Sequence, residues 1–142
     1  MSLEENKKVV KGFFDALENG DAAKIDSLTT DGFVFHAGRG VDVNKEMFVK
    51  MIGGAHTVFD DHGSVFDDMI AEGDRVAARL TVRGTHVGQF GKFAPTGKSF
   101  SMPEYFFFRL ENGKIAEDWG LKDTLDHYQQ LGILPPDDQI GD

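Results

Sequence analysis

Ionisable side chains interrupt four otherwise apolar, strand-like stretches of this chain, and their types decide what chemistry is open to it. His36 ends the run Phe33-Val34-Phe35 and is followed by Gly38 and Gly40. His86 closes the stretch "DRVAARLTVRGTH". Glu104 is a lone carboxylate among Phe100, Met102, Phe106 and Phe108. In "KIAEDWGL" two acids are adjacent, Glu117 and Asp118. Carboxyl and imidazole groups in apolar surroundings are the tools of general acid–base catalysis, because burial and neighbouring charge move their pKa values toward neutrality. The chain has no Cys, which excludes disulfides, cysteine nucleophiles and thiolate metal sites. It carries no H-x-x-x-H pair or tight ligand cluster, so neither a metal nor another cofactor is expected. Gly38-Arg39-Gly40 does not read as a phosphate loop, since no suitably spaced helix N-terminus follows.

The elements that must position these groups follow from periodicity. Val9, Val10, Phe13, Phe14 and Leu17 recur at helical spacing and predict a first helix ended by Asn19-Gly20. Asp21 can cap a second, short helix through Leu28. "GFVFH" is a strand, and Met47, Phe48, Met51 and Ile52 mark a third helix that Gly53-Gly54 should stop. His56 and His62 then fall in a solvated loop. Four strands follow: "SVFDDMIAEG", "DRVAARLTVRGTHVG", "KSFSMPEYFFFRLENG" and "KIAEDWGL". Tight turns at Glu72-Gly73-Asp74 and Glu111-Asn112-Gly113 separate two pairs of them. "KDTLDHYQQLG" is a last short helix, and residues 133–142 form an extended tail. Helices followed by antiparallel strands define an α+β chain. Helices on the concave face of a curved antiparallel sheet would leave a pocket between the layers. One domain spans 1–142, with its core at about 4–132.

Alternation along the strands sorts side chains by face. Phe100, Met102, Glu104, Phe106, Phe108 and Leu110 share the more apolar, concave face; Ser99, Ser101, Pro103, Tyr105, Phe107 and Arg109 share the outer one. Val76, Ala78, Leu80, Val82 and His86 point inward, while Arg75, Arg79 and Arg83 point outward. "KIAEDWGL" is ambiguous: Ile115, Glu117, Trp119 and Leu121 alternate against Ala116, Asp118 and Gly120.

The order of elements, with "VVKGFFDALENGDAAKIDSLTTDGFVFH", "IAEGDRVAARLTVRGTHVGQF", "PTGKSFSMPEYFFFRLENGKIAEDWG" and "YQQLG", resembles the SnoaL-like polyketide cyclases of the nuclear transport factor 2-like cone fold. The resemblance covers about residues 4–132. It implies that Asp118 and Gly120 face the pocket and that Asp118 matches the acid/base Asp of the cyclases. Glu104 matches a second polar group, often His in that family. His36 matches the general-base Asp of the related ketosteroid isomerases, whose two oxyanion donors fall on Phe13 and Phe106, so the isomerase set is replaced here.

The expected site is therefore Asp118 as acid/base, assisted by Glu104, His36 and His86. Phe13, Phe14, Phe48, Met51, Leu80, Met102 and Phe106 are expected to line the substrate cavity. Two carboxyls on neighbouring strands of an apolar face would share a proton and supply one acid and one base. The implied reaction is proton abstraction next to a carbonyl in a hydrophobic, cyclic or polyketide-like compound, by cyclisation, isomerisation or dehydration. The alternative is a non-catalytic module that binds an apolar small molecule. A homodimer is implied through the outer face. The net charge of −9 argues against nucleic acid and anionic membrane surfaces as partners. "MSLEENKKVV" has no apolar signal segment, so a cytoplasmic protein is expected.

Overall fold

A computed structural model describes residues 2–136. Helix α1 (Leu3–Asn19) starts at a capping box, in which Ser2 and Glu5 satisfy each other's backbone N–H groups, and ends at Gly20 with φ 64°. Its inward stripe is Asn6, Val10, Phe13, Phe14 and Ala16. Short α2 (Ala22–Leu28) is capped by Asp21. Strand β1 (Thr29–His36) then turns back through residues 37–41 into a short β2 (Asp42–Asn44), which the periodicity did not reveal. Gly38, Arg39 and Gly40 all have positive φ (82°, 54° and 74°), so the glycines after His36 serve this reversal.

Helix α3 (Lys45–Val58) runs through Gly53-Gly54 rather than stopping there. Each glycine costs a helix about 1 kcal/mol. Packing of Phe48, Val49 and Ile52 into the core offsets that cost. The last turn is also tied to α1, where His56 Nε2 donates to the Leu17 carbonyl at 2.8 Å. His56 and His62 are half-buried and meet edge to face at 4.9 Å, which corrects their assignment to a solvated loop.

The remaining strands are β3 (Phe59–Glu72), β4 (Arg75–His86), β5 (Ser99–Glu111) and β6 (Lys114–Lys122), followed by α4 (Thr124–Gln130). They form a six-stranded sheet in the order β2-β1-β6-β5-β4-β3, antiparallel except where β1 runs parallel to β6. Register shifts at Asp60/Gly63 and Phe66/Asp68 break the β3–β4 ladder, and Asp61 takes φ 52° at the first of them. Such bulges bend and over-twist a strand, which curls the sheet around the helices. Among the described residues no helix is long and apolar enough to cross a membrane. The expected tail begins with Ile133 packed against the core; residues 137–142 lie outside the described residues.

Two apolar clusters fill the concave side. The larger joins α1, α3 and the sheet around Phe13, whose ring meets Phe14, Phe33, Phe48 and Phe108 at centroid distances of 5.8–6.2 Å. The smaller consists of Phe59, Phe100, Met102 and Leu131, with Phe90 against it. Phe13 is fully buried and touches every layer of the larger cluster. Replacing it by Ala should cost about 3–5 kcal/mol of stability, measured as a lower denaturation midpoint with little change in slope. A loss below about 1 kcal/mol would mean that α1 is not held through this ring.

Candidate active site

A polar seam crosses the concave face between the two clusters. Its position depends on one extra residue in β6. Arg109 pairs with Glu117, but the next β5 residue, Leu110, pairs with Ile115, so Ala116 is bulged out of the ladder. The bulge shifts the alternation, so Ile115 and Asp118 are both buried. Beyond it, Asp118, Gly120 and Lys122 point inward and Glu117, Trp119 and Leu121 point outward.

Asp118 is 1% exposed, flanked by its cross-strand partners Phe108 and Phe35. Its Oδ1 has no hydrogen-bond partner. Burial, and then the negative charge of Glu104, push its pKa well above the usual carboxylate value. Gly120 follows on the same face. A Cβ there would lie 2.8 Å from Cε1 of Phe106 and 3.0 Å from Cε2 of Phe35, so those two rings close over the gap that glycine leaves.

Glu104 lies on the same face but pairs with Lys122, while Asp118 pairs with Phe108. The two carboxyls thus spring from positions four residues apart along the sheet, about 13 Å of strand. No hydrogen bond joins them among the described residues. They influence each other through space instead of sharing a proton directly. Glu104 is half-buried, and burial raises its pKa while Lys122 opposes the rise. Burial lowers the pKa of Lys122, with Glu104 opposing.

Two imidazoles lie at the other end of the seam. His86 is fully buried at the end of β4. His127, on α4, is 1% exposed, and its Nδ1 lies 3.4 Å from the Lys122 ammonium. Burial, Lys122 and His86 together hold the His127 pKa down to about 4. His127 was not legible as a site residue: α4 is too short for a periodicity, and its sequence neighbours are polar.

His36 belongs to a different place. It pairs with Trp119 across β1–β6 and stacks on that ring at 4.8 Å, on the outer face. Its Nε2 lies 2.8 Å from Glu117 and its Nδ1 2.7 Å from Asp42. Glu117 in turn accepts from Arg109 Nε at 2.7 Å. Burial pulls the His36 pKa down, but hydrogen bonds to Glu117 and then Asp42 outweigh it and the net shift is upward. The expectation that His36 faces the pocket is thereby corrected: the inward residues of β1 are Phe33 and Phe35. Of the expected cavity wall, Phe13, Phe48 and Leu80 are sealed in the larger cluster and Met102 in the smaller. Phe14 and Phe106 meet at 4.8 Å beside Gly120, and Met51 is 42% exposed on the outer side of α3. Among the described residues no group of three His, Asp or Glu could hold a metal ion.

Comparison with known proteins bears on the family and the fold. A family model described as SnoaL-like polyketide cyclase matches residues 7–131. Nogalonic acid methyl ester cyclase of Streptomyces nogalater is 29% identical over 101 residues, 70% of this chain and 75% of that one. Aklanonic acid methyl ester cyclase AcmA of Streptomyces galilaeus is 32% identical over 88 residues, 61% of each chain. The crystal structure of AclR, a candidate hydroxylase from Streptomyces galilaeus, superposes with a TM-score of 0.84 and 29% identity over 94% of this chain and 85% of that one. The fold is thus the nuclear transport factor 2-like cone.

A raised carboxyl pKa has a measurable sign. The native state holds the Asp118 proton at pH values where the unfolded chain has already released it. Stability is therefore lost as pH rises from the ordinary value of 3.8 through the higher native one. Asp118→Asn removes this penalty. It should unfold at a higher temperature than wild type at pH 7, by at least about 3 °C, equivalent to about 1 kcal/mol. The gap should close near pH 3. A variant no more stable than wild type at pH 7 would show that the carboxyl is not strained.

Proposed function

This chain belongs to the SnoaL-like polyketide cyclase family, and we propose that it performs cofactor-free general acid–base chemistry on a hydrophobic, polyketide-like carbonyl compound. One observation carries the reading: Asp118 is a carboxyl sealed in an aromatic wall with an oxygen left unpartnered. That environment favours the neutral carboxylic acid over the carboxylate, the form a proton donor needs. Glu104, half-buried and facing Lys122, remains the easier of the two to ionise and supplies the base.

In the proposed step the Glu104 carboxylate takes a proton from carbon next to a carbonyl, and the C–H electron pair moves to give an enolate. The enolate carbon bonds to a second carbonyl carbon of the same molecule, closing a ring. The oxygen of that second carbonyl takes the proton of Asp118. Glu104 ends protonated and Asp118 ionised, and proton exchange of each with water restores the start. The same first step serves double-bond migration or dehydration. Gly120, between the acid and Lys122 in the inward row of β6, lets the rings of Phe106 and Phe35 pack flat against the strand, and a flat ring system suits such a wall. His36, on the outer face, has no part in this step.

The test follows deuterium from heavy water into a panel of cyclic ketones and aromatic polyketide analogues. Wild type should catalyse uptake, and Asp118→Asn or Glu104→Gln should lower the rate by about 10²–10⁴-fold. Equal rates in the variants would remove these residues from the chemistry. Absence of uptake into any compound that binds would make the protein a carrier of apolar molecules.

The outer face supports a homodimer. Tyr105, Phe107 and Leu121 are 54%, 46% and 69% exposed there, beside Trp119, around a groove of about 590 Å³. Large apolar side chains gathered on one sheet face are ordinarily covered by a partner. Light scattering at micromolar concentration should give twice the chain mass, and Phe107→Glu with Leu121→Glu should give the monomer. A monomeric wild type would exclude the dimer.

A further inference from the structure

Asn6, His86, Asp118 and His127 each carry a buried side-chain atom without a partner among the described residues. In both histidines the atom is Nε2, and in both the tautomer follows from the hydrogen bond at the other nitrogen. The backbone N–H of Thr96 donates to His86 Nδ1 at 3.2 Å, so that nitrogen is an acceptor and the ring proton sits on Nε2. Lys122 Nζ donates to His127 Nδ1 at 3.4 Å, with the same consequence. Each ring is thus a neutral donor whose N–H points into protein with nothing to receive it. A buried donor left without an acceptor is destabilising, and two occur in one place.

The place is a chamber only in outline, packed by aromatic rings, with Phe100 4.2 Å from His127. Phe59 lies 5.8 Å from His86 and 5.4 Å from His127, and Phe90 lies 6.2 Å and 6.4 Å from the same rings. Phe59 is fixed in β3. Phe90 is half-buried on the β4–β5 connection, where its backbone bonds are those to Phe93, at 2.9 and 2.8 Å. Lys122 joins the chamber to the seam, since it pairs with Glu104 and touches His127.

We propose that the Nε2–H groups of His86 and His127 form a two-donor subsite for an uncharged acceptor oxygen, a ketone or ester carbonyl of the ligand, and that the ligand's apolar part takes the place of the Phe90 ring. The two donors are neutral, and the nearby Lys122 ammonium already faces Glu104, so a carbonyl suits them better than a carboxylate, which would lose its hydration here. The low pKa of His127 keeps its ring uncharged throughout the physiological range. The subsite rests on the reading that the seam handles carbonyl compounds. It orients such a compound by one oxygen and leaves its reacting carbon to Glu104, which pairs with the Lys122 that touches His127.

The test uses binding, not turnover, so its failure is separate from failure of the acid–base reading. The probes are 2-acetylnaphthalene and, lacking the oxygen, 2-ethylnaphthalene. Titration calorimetry gives the ratio of their affinities for wild type, His86→Phe, His127→Phe and, as a control on the exposed side of α3, Lys50→Ala. Each histidine substitution should lower the ketone's relative affinity by about three- to tenfold. Lys50→Ala should leave the ratio unchanged. His127→Gln, which keeps an N–H, should restore part of it. In wild type the Nε2 protons should shift downfield in the NMR spectrum with the ketone and not with the hydrocarbon. An unchanged ratio in both histidine variants, Nε2 protons indifferent to the ketone, or failure of both probes to bind wild type would overturn the subsite.

Discussion

One inserted residue governs what this sheet can do. Without the bulge at Ala116, alternation along β6 would bury Ile115, Glu117 and Trp119 together and turn Asp118 to solvent. With it, Ile115 still closes the core while Asp118 enters the apolar wall. Glu117 is sent outward, where His36 and Arg109 meet it. The two adjacent acids therefore end in opposite environments. Burial raises the pKa of Asp118; hydrogen bonds from His36 and Arg109 lower that of Glu117. A one-residue slip in register exchanges the faces of a strand, so neither acid's chemistry is a property of its type alone.

This explains how far the sequence could be read. Helix α1 was legible because its apolar stripe and its Asn19-Gly20 stop agree, and β5 because it alternates without interruption past Glu104 to Phe108. In β6 the alternation breaks at a residue, Ala116, that is small enough to fit either face. Only the resemblance to the cyclases placed Asp118 inward. His36 was misread for a related reason. It ends its strand after Phe35, and an apolar run cannot say on which side its last residue emerges. Its partner Asp42 sits on β2, a strand of three residues, too short to show a period. Helix α3 outran its glycines because packing outweighed local preference.

The seam is expensive, and the expense has a location. Three of the four unpartnered buried groups found among the described residues, on Asp118, His86 and His127, lie on the concave face. At about 1–3 kcal/mol each, they would consume much of the 5–15 kcal/mol by which a domain is usually stable. The rings around Phe13 offset this: each aromatic pair adds about 0.5–1.5 kcal/mol beyond its buried area. Natural cores ordinarily satisfy their polar atoms. A chain that gathers its exceptions in one stripe, between two well-packed clusters, is holding groups ready for something that its own structure does not provide.

What the groups lack tells what would complete them. Asp118 lacks a partner for a carboxyl oxygen, and the two imidazoles lack acceptors. Between these ends run Gly120, which adds no side chain, and the Glu104–Lys122 pair, whose opposite charges are each opposed by burial. Asp118 lies in the row of Val76, and His86 lies ten residues further along β4, about 33 Å of strand, so the two ends serve different parts of the seam. A ligand at either end would have to be flat enough to lie against the aromatic rings, and would carry oxygen and little charge. Fused-ring carbonyl compounds meet these conditions. A small charged metabolite does not, because it would bury its charge against aromatic walls.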